Sequence, residues 1–273
     1  MAAYFLMLPT ADDILLLAVI FTALIMVAYT GRFIACSWTE GRSTETAITT
    51  GGALTLSGLL IGFVFSVSLS GYSAREKAEV REAQSVASAW QYTLLLPVAM
   101  QHKLHPLLQK YLDDRICFFK EVSAQGSRGW SRTAEDNQRQ QWQLLVPEAI
   151  HAPGAVMASV LSAFSALMTT EKQTRAVWKR QIPDEAWLVL VVFAVSACFL
   201  TGQQYSQRDI RHFYLLLLPV LLSLVLFIIA EIDIPGTGII RVTPDALEQL
   251  SAAMIPTGSG RCHGVSVPVH HVP

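Results

Sequence analysis

The chain has 273 residues, 52% of them hydrophobic and only 15% charged, with a formal net charge of −1. Soluble domains carry roughly 25% charged residues, so this chain holds more apolar sequence than one water-soluble core uses. Near-neutrality excludes a basic nucleic-acid surface.

The apolar residues gather in four runs, giving candidate membrane spans at about 14–34, 51–71, 186–202 and 211–231. Each is long enough, or nearly so, to cross roughly 30 Å of hydrocarbon at 1.5 Å per helical residue. Asp12 and Asp13 stand before the first run, with no Lys or Arg there. A cleavable signal needs a basic start, so the first run reads as a retained span. Ser43 and Thr44 can cap the entry to the second helix.

The second run, Gly51–Gly71, has no charge. Gly58, Gly62, Ser66 and Ser70 recur every four residues, the small-residue spacing that lets another helix approach closely. A pore lining is the rarer use of such a groove. The other side carries Leu59, Leu60, Phe63 and Val67. No break signal comes after it, so one helix is expected to continue through Tyr72–Trp90.

Residues 72–183 hold most of the basic residues and show helical apolar spacing. Ala83, Val86, Ala87, Trp90 and Leu94 form one stripe, and Leu108, Leu112, Ile116 and Phe119 a second. Pro97 ends or bends the first helix. Gln125–Gln141, polar and containing GSRGW, reads as a loop or weakly structured insertion. A last helix is expected over Ala155–Arg180, closed by Pro183. Sustained period-two alternation is missing, so this part is expected to be all helix. The short connection after the third run implies an antiparallel hairpin with the fourth, where Pro219 is tolerable in a membrane helix. Residues 232–250 read as an ordered tail and 251–273 as disordered.

The chemistry-bearing clusters are sparse. Arg75, Glu76, Lys77, Glu79, Arg81 and Glu82 form a juxtamembrane charge patch, either a solvated helix face or an ion-attracting vestibule. His102, His105, Asp113 and Asp114 lack a third ligand at diagnostic metal spacing. Cys262, His263, His270 and His271 resemble a metal site in composition only. The four cysteines are scattered with no CxxC, so a disulfide framework or zinc site is not expected. Glu231 reads as a boundary marker, or as functional if it lies deeper. There is no nucleophile elbow, phosphate loop or HExxH, so neither an enzyme nor a cofactor is expected. Basic residues near span ends divide eight to four in favour of both termini and the middle domain being cytoplasmic.

Four stretches resemble the bacterial bestrophin-like domain family, whose function is largely unassigned. They are GFVFSVSLSGYSAREKAEVREAQSV (Gly62–Val86), LLQKYLDD (Leu107–Asp114), TRAVWKRQIPDEAW (Thr174–Trp187) and DIPGTGIIRVTPDAL (Asp233–Leu247). The resemblance implies an all-α protein of the bacterial inner membrane, with four transmembrane helices and a helical cytoplasmic domain between the second and third. It implies 1–71 and 184–231 as the two transmembrane pairs. Bestrophins proper are pentameric anion channels narrowed by apolar side chains of the second span. By analogy, Leu56, Phe63 and Val67 are the pore candidates here, and the partners would be the lipid bilayer, further copies of the chain and small inorganic ions. A membrane-anchored scaffold is the other class to weigh. The near-neutral Tyr72–Trp90 helix implies weak selectivity.

Overall fold

The expected break in polarity is not a break in structure. In a computed structural model, which describes residues 11–37, 44–121, 124–204, 212–234 and 240–254, Thr44–Thr93 is one helix of 50 residues. It contains no proline, and its glycines lie in the apolar stretch, where helices tolerate them. The described residues form eight helices and no strand. They are α1 (Ala11–Ser37), α2 (Thr44–Thr93), α3 (Val98–Lys120), α4 (Ala124–His151), α5 (Ala155–Trp178), α6 (Asp184–Gln204), α7 (His212–Asp233) and α8 (Asp245–Met254). Four of them, α1, α2, α6 and α7, are long and apolar enough to cross a membrane.

The helices group into two compact units. Among the described residues, one comprises those between 11 and 72, those between 181 and 234, and 240; the other comprises those between 73 and 180 and between 241 and 254. In the first unit α1 packs on α6 and α7. Its core joins Leu24 and Ala28 of α1, Val64 of α2, Leu190, Ala194 and Cys198 of α6, and Leu222, Leu226 and Ile229 of α7. Many large apolar side chains on these helices remain exposed, among them Leu15, Phe33, Leu188 and Leu221. That is the surface a bilayer solvates.

Small residues do bring helices together in this unit, but not where the four-residue spacing on α2 suggests. The close approach is between α1 and α6. A side chain on Gly31 would meet the Phe199 backbone, and one on Gly202 would meet the Ala28 carbonyl. At the far end of the unit, Asp233 accepts hydrogen bonds from the Ile182 amide at 2.8 Å and the Trp187 indole at 3.2 Å. This carboxylate therefore ties the end of α7 to the start of α6.

In the second unit, α3 lies against α4 and α8, and α4 against α5. The α3 stripe of Leu108, Leu112, Ile116 and Phe119 is buried. On α2 the buried face is Glu82, Ala83, Val86, Ala89 and Thr93, whereas Leu94 stands in the turn after the helix and is exposed. Pro97 is the N-cap of α3.

The Gln125–Gln141 stretch corrects the sequence reading: it lies within the regular helix α4. Its inner face is Trp130, Ala134, Asn137, Gln138, Gln141 and Leu145, all buried. Three of those six are amides, so an apolar period cannot reveal the helix. Gln141 donates to Asn137 at 2.8 Å one turn away. Cys117, buried on α3, is disulfide-bonded, which the scattered cysteine spacing does not announce. The expectation of disorder from 251 onward is corrected at its start, where residues 251–254 are the last turn of α8 with Ser251 buried; the rest of that tail falls outside the described residues, as do most of the polar loop after Ser37, the connection before α7 and the tail Cys and His residues.

Candidate functional site

Two constellations stand out, one in each unit. The first is the outward side of α2. Ser57, Val64 and Ser68 face inward and are buried. Ser57 and Ser68 turn their hydroxyls back onto the carbonyls of Ala53 and Val64, at 2.7 and 3.0 Å. Polar groups on the packed side are thereby satisfied within the helix. Among the described residues, the opposite side is largely uncovered. Leu56, Phe63 and Val67 are 54%, 66% and 44% exposed. Gly58, Gly62, Ser66 and Ser70 share this exposure, and no atom lies within 4 Å of where a Cβ would stand on either glycine. The pore candidates and the groove therefore lie on one open surface, and none of the described helices packs into the groove at Gly58 or Gly62.

The second constellation is a buried ion network in the helical unit. Of the six charges expected as a solvated patch, only Glu76, Lys77 and Arg81 are exposed. Arg75, Glu79 and Glu82 are 3%, 2% and 0% exposed. Burying a charge is costly unless it is paired and hydrogen-bonded, and each of the three has a partner. Arg75 donates to the Arg180 carbonyl at 2.9 Å. Glu79 accepts from the Leu247 amide at 2.9 Å, in the first turn of α8. Glu82 accepts from the Tyr111 hydroxyl at 2.9 Å and from Arg115 through Nε and Nη2, the latter at 2.9 Å.

Arg115 is the centre of this network and is fully buried. Its guanidinium carbon lies 4.2 Å from the Phe118 ring centroid, close enough for cation–π attraction. Its Nη1 stands 3.7 Å from Glu171 Oε1. Glu171 also receives Arg175 at 2.5 Å, and Arg175 reaches on to Glu135. Burial alone works against the Arg115 charge, but Glu82, Tyr111 and Glu171 outweigh it and hold the pKa above its usual value. Tyr111 is pushed well up by desolvation and by Glu82, and stays a proton donor. The network joins α2, α3, α4 and α5. It holds no nucleophile, and no group of three or more His, Cys, Asp or Glu residues suited to a metal ion occurs among the described residues. Its chemistry is charge pairing that fixes helix register.

Asp114, beside Arg115 in sequence, is only 6% exposed and its Oδ2 has no hydrogen-bond partner. Burial raises its pKa from 3.8 to about 6, with Lys110 opposing and Asp113 adding to the rise. A carboxyl raised on folding contributes stability that is present below its unfolded pKa and lost as pH climbs through the folded one. The helical unit should therefore resist denaturation less at pH 8 than at pH 4–5 on account of this group. Asp114→Asn should remove that slope and stabilise at pH 8 by at most about 3 kcal/mol, each pKa unit being about 1.4 kcal/mol. Urea midpoints at the two pH values would check it; an unchanged slope in the variant would reject this role for Asp114.

His105, proposed with His102 and the two aspartates as a weak metal candidate, stacks on Trp90 at 4.0 Å and meets the Thr93 hydroxyl at 2.8 Å. Glu231 is buried. Spacing alone offered one signal for the network, since Tyr111–Arg115 and Glu171–Arg175 are both four apart on helices. The joining contact, Glu82 to Arg115, spans 33 positions and has no local signature.

Compared with known proteins, the chain matches the sequence model of the bestrophin-like domain over residues 16–247. No curated protein and no solved structure matches it.

Proposed function

Because the chain belongs to the bestrophin-like domain family, we propose that it acts as an oligomeric membrane protein passing small inorganic ions with weak selectivity. The observation that carries this reading is the open side of α2. An uncharged surface mixing Gly and Ser with Leu56, Phe63 and Val67 is left open by the described residues. Copies arranged around an axis would use it either to pack or to line a pore. The exposed charges just beyond it, Glu76, Lys77 and Arg81, sum to +1, a weak field for choosing between ions. Selectivity would then rest on width and on Ser66 and Ser70.

Planar-bilayer recording of the purified protein across a salt gradient tests this. Phe63→Ala, which removes a ring with no intrachain packing, should raise conductance about twofold or more without loss of fold. Silence from a demonstrably folded oligomer would reject conduction and favour a membrane-anchored scaffold.

In the same proposal both termini and the helical unit are cytoplasmic, at the inner membrane of a bacterium. The eight-to-four basic bias supports this. The Cys117 disulfide weighs the other way, since such bonds persist in oxidising compartments. Lys172 is exposed on α5. In a background without native cysteines, Lys172→Cys should stay unlabelled by an impermeant maleimide on intact cells. Labelling there would reverse the orientation.

A further inference from the structure

Within the helical unit, an open groove of about 680 Å³ runs between α2 and α5. Two hydrogen bonds hold its walls together. Ser85 donates to the Thr170 hydroxyl at 3.0 Å, and Thr174 to the Ala78 carbonyl at 3.5 Å. Ala158, Ala163 and Ala166 on the α5 side are too small to fill the space. The polar lining divides in two. Ser85, Ser159 and Thr170 already give their hydroxyl protons to Thr170, Ala155 and Ala166. Gln84, Ser88 and Ser162 also line the groove, and among the described residues their side chains hold no hydrogen bond.

The charge of the groove has one sign. Arg81 stands at one end and Tyr92 at the other, about 16 Å apart along α2. Lys77 precedes Arg81 by one turn on the same face. Both cations are exposed, and neither pairs with a carboxylate among the described residues. The nearby acids point elsewhere. Glu79, Glu82 and Glu171 are buried and bound to Leu247, Arg115 and Arg175. Glu76 is exposed but lies about 100° round the helix from Lys77. No Asp or Glu occurs between residues 83 and 112 or between 149 and 170.

We propose that this groove binds the phosphate ester of a small polyol, a binding activity separate from conduction. The phosphate sits at Lys77 and Arg81, the two side chains suited to it. Gln84 follows Arg81 by one turn and Ser88 by two, with Ser162 on the facing wall, so the polyol hydroxyls meet them in succession. An acyl chain in this place would cover those amide and hydroxyl groups without satisfying them, and a bare anion would leave them unused. The ester has two sources, a soluble polyol phosphate or the headgroup of a phospholipid such as phosphatidylglycerol.

The test uses the full-length chain in nanodiscs of phosphatidylcholine, titrated calorimetrically with glycerol 3-phosphate, inorganic phosphate and sodium chloride. Wild type should bind glycerol 3-phosphate saturably and more tightly than inorganic phosphate, and chloride should give no saturable heat. Arg81→Gln should weaken glycerol 3-phosphate about tenfold. Ser88→Ala/Ser162→Ala should reduce its affinity to that of inorganic phosphate while leaving inorganic phosphate unaffected. These side chains hold nothing in the fold, and unaltered circular dichroism would confirm that. Nanodiscs containing phosphatidylglycerol separate the sources: loss of glycerol 3-phosphate binding there assigns the groove to the lipid headgroup, and undiminished binding assigns it to the soluble ester. Absence of saturable binding in phosphatidylcholine nanodiscs would overturn the proposal. So would equal affinity for glycerol 3-phosphate in wild type and either variant.

Discussion

Arg115→Met should destabilise the helical unit by about 3–5 kcal/mol, because it leaves Glu82 buried without its cation. Glu82 is 0% exposed and takes two of its three charge-network hydrogen bonds from Arg115. The third, from Tyr111, is neutral and weaker. Removing the guanidinium also strips the cation from Phe118 and leaves Glu171 with Arg175 alone. Arg115→Lys should rescue little, since an ammonium cannot reproduce the two-point contact. Arg115→Met/Glu82→Gln should recover much of the loss, because a buried pair replaced as a pair is often nearly neutral. Pulse proteolysis in urea reads all three. A single variant as resistant as wild type would mean that the network contributes specificity without stability.

Buried polar joints of this kind are also what the resemblance motifs have in common. The stretch Gly62–Val86 supplies Glu82, which binds Tyr111 of Leu107–Asp114. It also supplies Glu79, which caps α8 at Leu247, the last residue of Asp233–Leu247. Asp233, the first residue of that stretch, binds Ile182 and Trp187 of Thr174–Trp187. Each motif thus makes a polar contact with another one, within one unit or the other. A set of apparent functional signatures is in large part a set of hydrogen-bonded joints. Asp233 and Glu79 restrain helix ends and Glu82 ties the middle of α3 to α2, and the open side of α2 carries none of these joints.

Features set by local pattern were legible in the sequence. Apolar length marked the four candidate spans, and the uninterrupted run past Gly71 marked the continuous α2. Features set by partners distant in the chain were hidden. A run such as Arg75–Glu82 looks solvated because six charges in eight residues rarely go inside. Three of them do, because Arg115, Arg180 and Leu247 meet them there. Helix α4 was hidden for a related reason: its buried face uses Asn137, Gln138 and Gln141 where an apolar pattern would use leucine. The small-residue spacing on α2 was legible, but spacing does not say which chain fills a groove.

Gly202→Leu should abolish the folded, membrane-inserted protein, and Gly202→Ala alone should weaken it. A Cβ at this position would press on the Ala28 carbonyl oxygen, with the carbonyl carbon at 2.9 Å and the Cα at 3.2 Å. Gly31 makes the reciprocal contact, its Cβ position standing 3.1 Å from the Phe199 carbonyl carbon. Ordinary overpacking costs about 1–3 kcal/mol because neighbouring side chains can shift. Here the obstacle is backbone on both helices, so α1 and α6 must separate along their contact. The buried packing of Ala28, Ala194, Ala197 and Cys198 would be lost with it. Gly62→Leu is the contrast, because among the described residues nothing lies within 4 Å of its Cβ position. That change should leave the single chain intact and act only on contacts between copies. Membrane-extracted yield, protease resistance and oligomer size, measured side by side, separate the two. A Gly202→Leu protein with wild-type yield and resistance would show that the α1–α6 contact does not hold the membrane unit together.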